Sequence, residues 1–266
     1  MQNLPIGIFD SGIGGLTVAH ALKKKLPNES IIYFGDTEHL PYGEKSDEAI
    51  GNFSKRITRF LINKDCKAIV IACNSASSVA FNLVKKQAKN IPVFNVIDPV
   101  VNAVASNCSD CKIGVIGTKA TIQSGVYTKK IKRICSSAIV AALATPLLVP
   151  MIEEGSINEE VSHKIISNYL SNRLLEDIDS LILACTHYPL ILNEINAFYS
   201  GKVQLIDSAT IVADSIKVEL KNMQLLNLNN NPNYQFYISN YTKSFARSAK
   251  FFFQEEINIE EVNIWN

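Results

Sequence analysis

Short runs of nearly continuous apolar residues punctuate the chain, and amphipathic segments fill the intervals. The runs fall at 6–9, 31–34, 68–72, 93–96, 113–116, 139–143, 180–184 and 203–206. Strands covered on both faces have this character, whereas half-exposed strands alternate. The intervals carry helical periodicity. Over 47–63, Ile50, Phe53, Ile57, Phe60 and Leu61 share one face. Ser46 can cap that helix, and Asp47 and Glu48 suit the positive end of its dipole. Val161, Ile165 and Tyr169 predict a second helix over 158–170, and a third is expected over 75–89. After an Asn-rich loop at 227–233, a late strand is expected at 234–239 and a helix at 242–252. The last residues fit either a strand or a loose end. Strand alternating with helix predicts an α/β fold with mostly parallel sheets, whose ligands bind at the carboxyl ends of strands.

The chain also echoes itself. IGIF at 6–9 matches IGVI at 113–116, and the segment ending Leu40-Pro41 matches the one ending Val149-Pro150. IVIACNSAS at 69–77 matches LILACTHYP at 181–189, and NVID at 95–98 matches QLID at 204–207. One apolar match would mean little. Four in the same order predict two pseudo-symmetric α/β domains, each ending a central strand in a cysteine. Facing each other, they would set Cys73 and Cys185 on opposite walls of one cleft.

Composition narrows the classes without naming one. The 266 residues are 47% hydrophobic and 19% charged, ample for a sizeable core. Basic and acidic residues number 26 and 25, so the net charge of +1 offers no footprint for nucleic acid. No apolar run approaches the roughly 18–20 residues needed to span a bilayer, and no secretory pattern opens the sequence. Six cysteines in so long a chain do not make a disulfide scaffold, so reduced thiols in a cytoplasm are expected. Cys108-Ser-Asp-Cys111 has redox or metal spacing. It lacks the partners of a zinc site and precedes a strand instead of following one, so coincidence is the simpler reading.

Free cysteine usually packs as a small hydrophobe, and Cys73 alone would be read so. Its context is different, because a predicted helix begins just after it, a position that depresses a thiol's pKa. Two opposed thiols suit a definite reaction, in which one removes a proton from a carbon and the other returns a proton to the opposite face. Reversibility makes two groups of one kind a natural choice. Positioned donors must then stabilise charge developing on the substrate. Asp10-Ser11-Gly12-Ile13-Gly14-Gly15 follows the first strand, where glycines allow a tight turn with amides close to an anion. A dinucleotide fingerprint would need glycine where Thr17 stands, although Asp36 could serve as its ribose partner. Tyr42 and Gly43 lie in the turn after the second strand, with amide or phenol available to a ligand. Thr186 and His187 follow Cys185 directly, and His187 is a general-acid candidate. Glu153 occupies the second domain's counterpart of the 41–43 turn and fits either a tuning or a surface role. His20, His39 and His163 are read as structural or surface residues.

The blocks IGIFDSGIGGLTV at 6–18, YFGDTEHLPYGEKS at 33–46, ACNSAS at 72–77, PLLVPMIEEG at 146–155 and ACTHYPLI at 184–191 resemble the glutamate racemase family of bacterial cell-wall synthesis. The likeness runs to about residue 208; the last sixty residues carry no recognisable motif. The resemblance implies a cofactor-independent, metal-free racemase acting on L- and D-glutamate. Cys73 would take the proton from D-glutamate and Cys185 from L-glutamate, with Asp10, His187, Glu153 and Asp36 in support. Substrate contacts would fall on Asp10, Ser11, Tyr42, Gly43, Asn74, Ser75, Thr186 and His187. Ser75 stands where the family often has threonine, and the hydroxyl is kept. The family architecture implies a first domain from 1–98 and 207–266, with 99–206 inserted as the second, and it suggests a homodimer. Competing readings are a racemase of aspartate or a hydantoin, a non-catalytic regulator on the same fold, and a dinucleotide oxidoreductase.

Overall fold

The structure is a computed structural model and describes residues 2–155, 160–241 and 249–265. Its strands are β1 (Ile6–Asp10), β2 (Ile31–Gly35), β3 (Ala68–Ile71), β4 (Val93–Asn95), β5 (Lys112–Gly117), β6 (Ile139–Ala144), β7 (Ser180–Ala184), β8 (Gln204–Ile206), β9 (Tyr234–Ile238) and β10 (Ile259–Glu261). The apolar runs therefore predict every strand up to β9 to within a residue or two, and the open question at the chain's end resolves as the short strand β10. β1, β2, β3 and β7 are buried along their whole length, the condition that makes a strand nearly continuously apolar.

All strand pairings are parallel. One sheet runs β10-β9-β2-β1-β3-β4 and the other β6-β5-β7-β8. The four-strand order β2-β1-β3-β4 recurs as β6-β5-β7-β8, so the sequence echoes correspond to a repeated topology. In each repeat the chain steps to one side after its first strand and to the other before its third. The crevice between those strands, β1/β3 and β5/β7, is a topological switch point where such sheets bind ligands.

Asp47–Asn63 is helical as predicted, and the Ser46 hydroxyl accepts the Ala49 amide at 3.2 Å. Ile50, Ile57 and Leu61 are buried, while Phe53 and Phe60 are only partly covered. The predicted helix over 75–89 is instead two, Asn74–Val79 and Phe81–Ala88, broken at Ala80. Ser77 and Ser78 turn their hydroxyls onto the carbonyls of Ile71 and Ser75, which competes with an unbroken helical ladder. The helix expected over 158–170 is present as Glu160–Leu170; 158 and 159 lie outside the described residues. Most of the expected 242–252 helix also lies outside them, with 249–253 helical. The helices Leu16–Lys25 and Ser208–Asn222 pack together, and Val18, Leu22, Val212 and Ile216 all belong to the main core.

One expectation fails. Cys108 and Cys111 are joined by a disulfide, with Cα atoms 5.5 Å apart. Asp110 takes a left-handed conformation (φ 55°), which turns the CxxC loop back on itself and brings the thiols together. Cys66, Cys73, Cys135 and Cys185 are free thiols. Among the described residues, no helix is long and apolar enough to cross a membrane.

Lys67 lies just before β3, at the end of the first sheet remote from the switch point. It is buried, reaches Glu29 at 2.5 Å, and donates to the carbonyls of Gln2 and Leu225. Glu29 in turn accepts the Asn227 amide at 2.8 Å. Burial pulls the lysine's pKa down, and Glu29 offsets part of that. Lys67→Met leaves Glu29 buried without its cation and should cost about 3–5 kcal/mol. The check is the urea-unfolding free energy of the variant against wild type.

Candidate active site

The two switch points face each other across a cleft with a cavity volume of about 90 Å³. From the first sheet come Ser11 after β1, the Pro41–Glu44 turn after β2, and Cys73 to Ser75 after β3. From the second come Thr118 after β5, Thr145 after β6, the turn holding Val149 and Pro150, and Cys185 to His187 after β7. Cys73 and Cys185 are thus brought into one cavity.

The glycine loop fits no dinucleotide. Its anion is internal: Gly12 donates its amide to Asp10 Oδ2 at 3.0 Å, and the Ser11 and Gly15 amides also face that carboxylate. A Cβ on Gly14 would sit 2.3 Å from Thr186 Oγ1 and 2.5 Å from the His187 ring. Thr17, the residue that spoils the fingerprint, shares its hydroxyl between the carbonyls of Gly14 (2.8 Å) and Thr186 (3.2 Å). The opposite wall fills the space a pyrophosphate would need.

Asp10 is completely buried behind this loop, and its Oδ1 has no hydrogen-bond partner among the described residues. Burial raises its pKa, partly offset by the charge of His187 and by the loop amides. Beside it, Cys73 caps the helix Asn74–Val79. Its sulfur accepts the Ala76 amide at 3.4 Å, and its thiol donates to Ser11 Oγ at 3.6 Å. Local geometry is therefore as expected, yet the pKa is not depressed. Burial and the Asp10 carboxylate push the thiol up to about 12, and one short helix's amides with Ser11 offset only part of that.

The second wall is different. His187 Nδ1 lies 3.8 Å from Cys185 Sγ, and Nε2 lies 2.8 Å from Glu153 Oε1. Burial alone would lower this imidazole's pKa; Cys185 and Glu153 outweigh it and raise it to about 10. At neutral pH the ring is an imidazolium between a thiol position and a carboxylate. Glu153, given a tuning or a surface role by the sequence, is the group that holds it.

The polar lining joins the walls. Ser75 Oγ and Thr118 Oγ1 are 2.9 Å apart, and Asn74 Oδ1 accepts the Tyr127 hydroxyl at 2.8 Å. That leaves the buried Asn74 Nδ2 without a partner in the cleft lining. A Cβ on Gly43 would meet Thr118 Cβ at 2.6 Å, so only glycine lets that turn approach the second wall. Tyr42 lines the cleft with its ring, but its hydroxyl donates to Asp36 Oδ2 at 2.6 Å and is unavailable to a ligand. Asp36 does not line the cleft; it is buried behind Tyr42.

Two threonines of the cleft escape the sequence reading. Thr118 and Thr145 follow β5 and β6 as Ser11 and Asp36 follow β1 and β2. The internal repeat, extended one residue past its matched strands, points to both.

A model of the Asp/Glu/hydantoin racemase family matches residues 16–216. A glutamate racemase from Neisseria meningitidis serogroup A is 44% identical over 250 residues, covering 92% of each chain. The crystal structure of a glutamate racemase from Francisella tularensis, in complex with D-glutamate, superposes with a TM-score of 0.94 at 39% identity. It covers 100% of this chain and 99% of that one. A glutamate racemase isoform from Bacillus anthracis superposes with a TM-score of 0.94 at 35% identity, covering 99% and 98%.

The raised pKa of His187 has a consequence for stability. A folded value of about 10 against an ordinary 6.5 means the native state holds a proton that the unfolded chain releases. The stabilisation is complete below about pH 6.5 and is lost as pH rises through about 10. Glu153→Gln removes one of the supporting charges and lowers the folded pKa, so the loss still begins near pH 6.5 but is smaller and complete at a lower pH. Thermal melting from pH 6 to pH 10 reads the shift.

Proposed function

This chain belongs to the Asp/Glu/hydantoin racemase family, and from that premise we propose that it interconverts L- and D-glutamate by two-base proton transfer. The observation that carries the reading is the meeting of Cys73 and Cys185, each at the switch point of its own sheet, in one cavity. Each half supplies one wall: 1–98 with 207–266 the first, 99–206 the second.

The chemistry follows from the asymmetry of the walls. Cys73 rests as a neutral thiol, because burial and Asp10 oppose its ionisation. Beside Cys185 stands an imidazolium, whose Nδ1–H is the donor a thiolate there would need. A Cys185 thiolate removes the α-proton of L-glutamate, and the Cys73 thiol delivers its proton to the opposite face, giving D-glutamate. In reverse, Cys73 is the base and Cys185 the acid. A bound α-ammonium group brings positive charge to the buried Asp10–Cys73 pair and so favours a Cys73 thiolate. The unpartnered Asn74 amide, with Ser11, Ser75, Thr186 and the Gly43 turn, supplies the polar lining that positions the substrate and stabilises charge on its carboxylate.

The physiological setting that fits is a cytoplasmic homodimer supplying D-glutamate for peptidoglycan. The near-neutral charge balance suits a small-molecule substrate and no nucleic acid.

In heavy water, without added cofactor, the reduced protein should wash deuterium into the α-position of glutamate from either enantiomer, and not of aspartate. Exchange on aspartate alone, or on neither, would overturn the assignment. Cys73→Ala should lower racemisation about 10²–10⁴-fold, the range for loss of a general acid–base group, while circular dichroism shows the fold retained.

A further inference from the structure

The last part of the chain, where no sequence motif is legible, reaches back to the cleft. β9 pairs with β2, and the residue after it, Ser239, donates its hydroxyl to Asp36 Oδ1 at 2.9 Å. Asp36 is fully buried and also takes Tyr42 Oη at 2.6 Å and His39 Nδ1 at 2.9 Å. β10 pairs with β9, and the chain then runs to Trp265. There the indole sets its edge against the His39 ring at 4.4 Å, and Arg56 donates to the Trp265 carbonyl. Phe53 completes the cluster: its ring stacks on His39 at 4.1 Å and touches Tyr42 at 5.5 Å and Trp265 at 5.6 Å.

Two routes therefore lead from the tail to the cleft. One is polar, through His39 and Asp36 to the Tyr42 hydroxyl. The other is packing, through Phe53 onto the Tyr42 ring. Tyr42 opens the turn Tyr42–Glu44, whose Gly43 touches Thr118 and whose Glu44 pairs with Lys119 of the second wall at 2.9 Å. Holding Tyr42 fixes where the two walls meet. A buried carboxylate with no lysine or arginine partner among the described residues depends on its hydrogen-bond donors. Of these donors, Ser239 belongs to the C-terminal part itself, and His39 is the one packed against Trp265.

We propose that Trp265 is a positioning residue for the cleft, acting through His39, Phe53 and Asp36 on Tyr42. This rests on the cleft being the glutamate site. It touches no reacting atom, so its loss should be felt in substrate binding more than in the chemical step.

Trp265→Ala should raise KM for both glutamate enantiomers about 5-fold or more while kcat changes less than about 2-fold, and Trp265→Phe, which keeps an edge-on ring, should stay within about 2-fold of wild type. KM does not depend on the amount of folded enzyme, so a loss of stability alone leaves it unchanged. The chain has a single tryptophan, so its fluorescence reports the tail directly: saturating D-glutamate should shift the emission of the wild-type protein. An unchanged KM in Trp265→Ala, or an emission blind to D-glutamate in a protein that racemises it, would overturn the proposal. If the wild type does not racemise glutamate, the functional reading fails, and the tail is judged on Cys73 alkylation instead. That rate should rise in Trp265→Ala and not in Trp265→Phe; equal rates in all three proteins would overturn it.

Discussion

The close approach of Gly14 to Thr186 and His187 is the constraint on which the site depends. With less than 3 Å between a would-be Cβ and the opposite wall, a side chain there would force Thr186 and His187 to shift. The carboxyl ends of two sheets are pressed together at that point, and Thr17 ties the contact to the Thr186 carbonyl. From it follow the shared cavity and the charge of His187 felt at Asp10. It also leaves the glycine-rich loop after the first strand little room for a phosphate. The loop's amides serve the protein's own carboxylate, and its open face is occupied by the second half of the chain.

That contact couples two walls of equal topology and opposite electrostatics. On one side a thiol lies near a buried carboxylate and is held protonated; on the other a thiol lies near a buried imidazolium. Within a scaffold of repeated topology, one wall thus holds its sulfur beside a carboxylate and the other places a cationic donor beside its own. The cross-contact from His187 to Asp10 limits the difference, since each charge lowers the cost of burying the other.

Much of this is legible in the sequence, for physical reasons that also mark the limits. Strands buried on both faces must be continuously apolar, so β1, β2, β3 and β7 stand out; a helix weakened by a serine run does not, so the break at Ala80 leaves no signal. The echo of IVIACNSAS in LILACTHYP points to a thiol pair because repeated chain makes repeated topology. The same logic finds Thr118 and Thr145 only when it is carried one residue past each strand. Local rules fail where a distant group outweighs them: the helix start beside Cys73 loses to burial and Asp10, and Glu153 declares itself only by meeting His187. The CxxC disulfide depends on a left-handed Asp110, which no spacing rule reveals.

The two halves differ most where the repeat places Asp36 against Thr145. Thr145 is neutral and is satisfied within its own half by the Tyr188 hydroxyl at 2.6 Å. Asp36 brings a carboxyl group with two oxygens to the same structural position, and one tyrosine does not satisfy both. Its further donors come from His39 and from Ser239, the latter delivered by a strand that the four-strand repeat does not contain. β9 and β10 extend the first sheet beyond β2, the side on which Asp36 lies, while the second sheet ends at β6 without such an addition. The C-terminal return of the chain is thus matched to a buried carboxylate in one half that the other half lacks. A sheet that buries a carboxyl group at the end of β2 needs neighbours to hold it, and the unrepeated strands provide them.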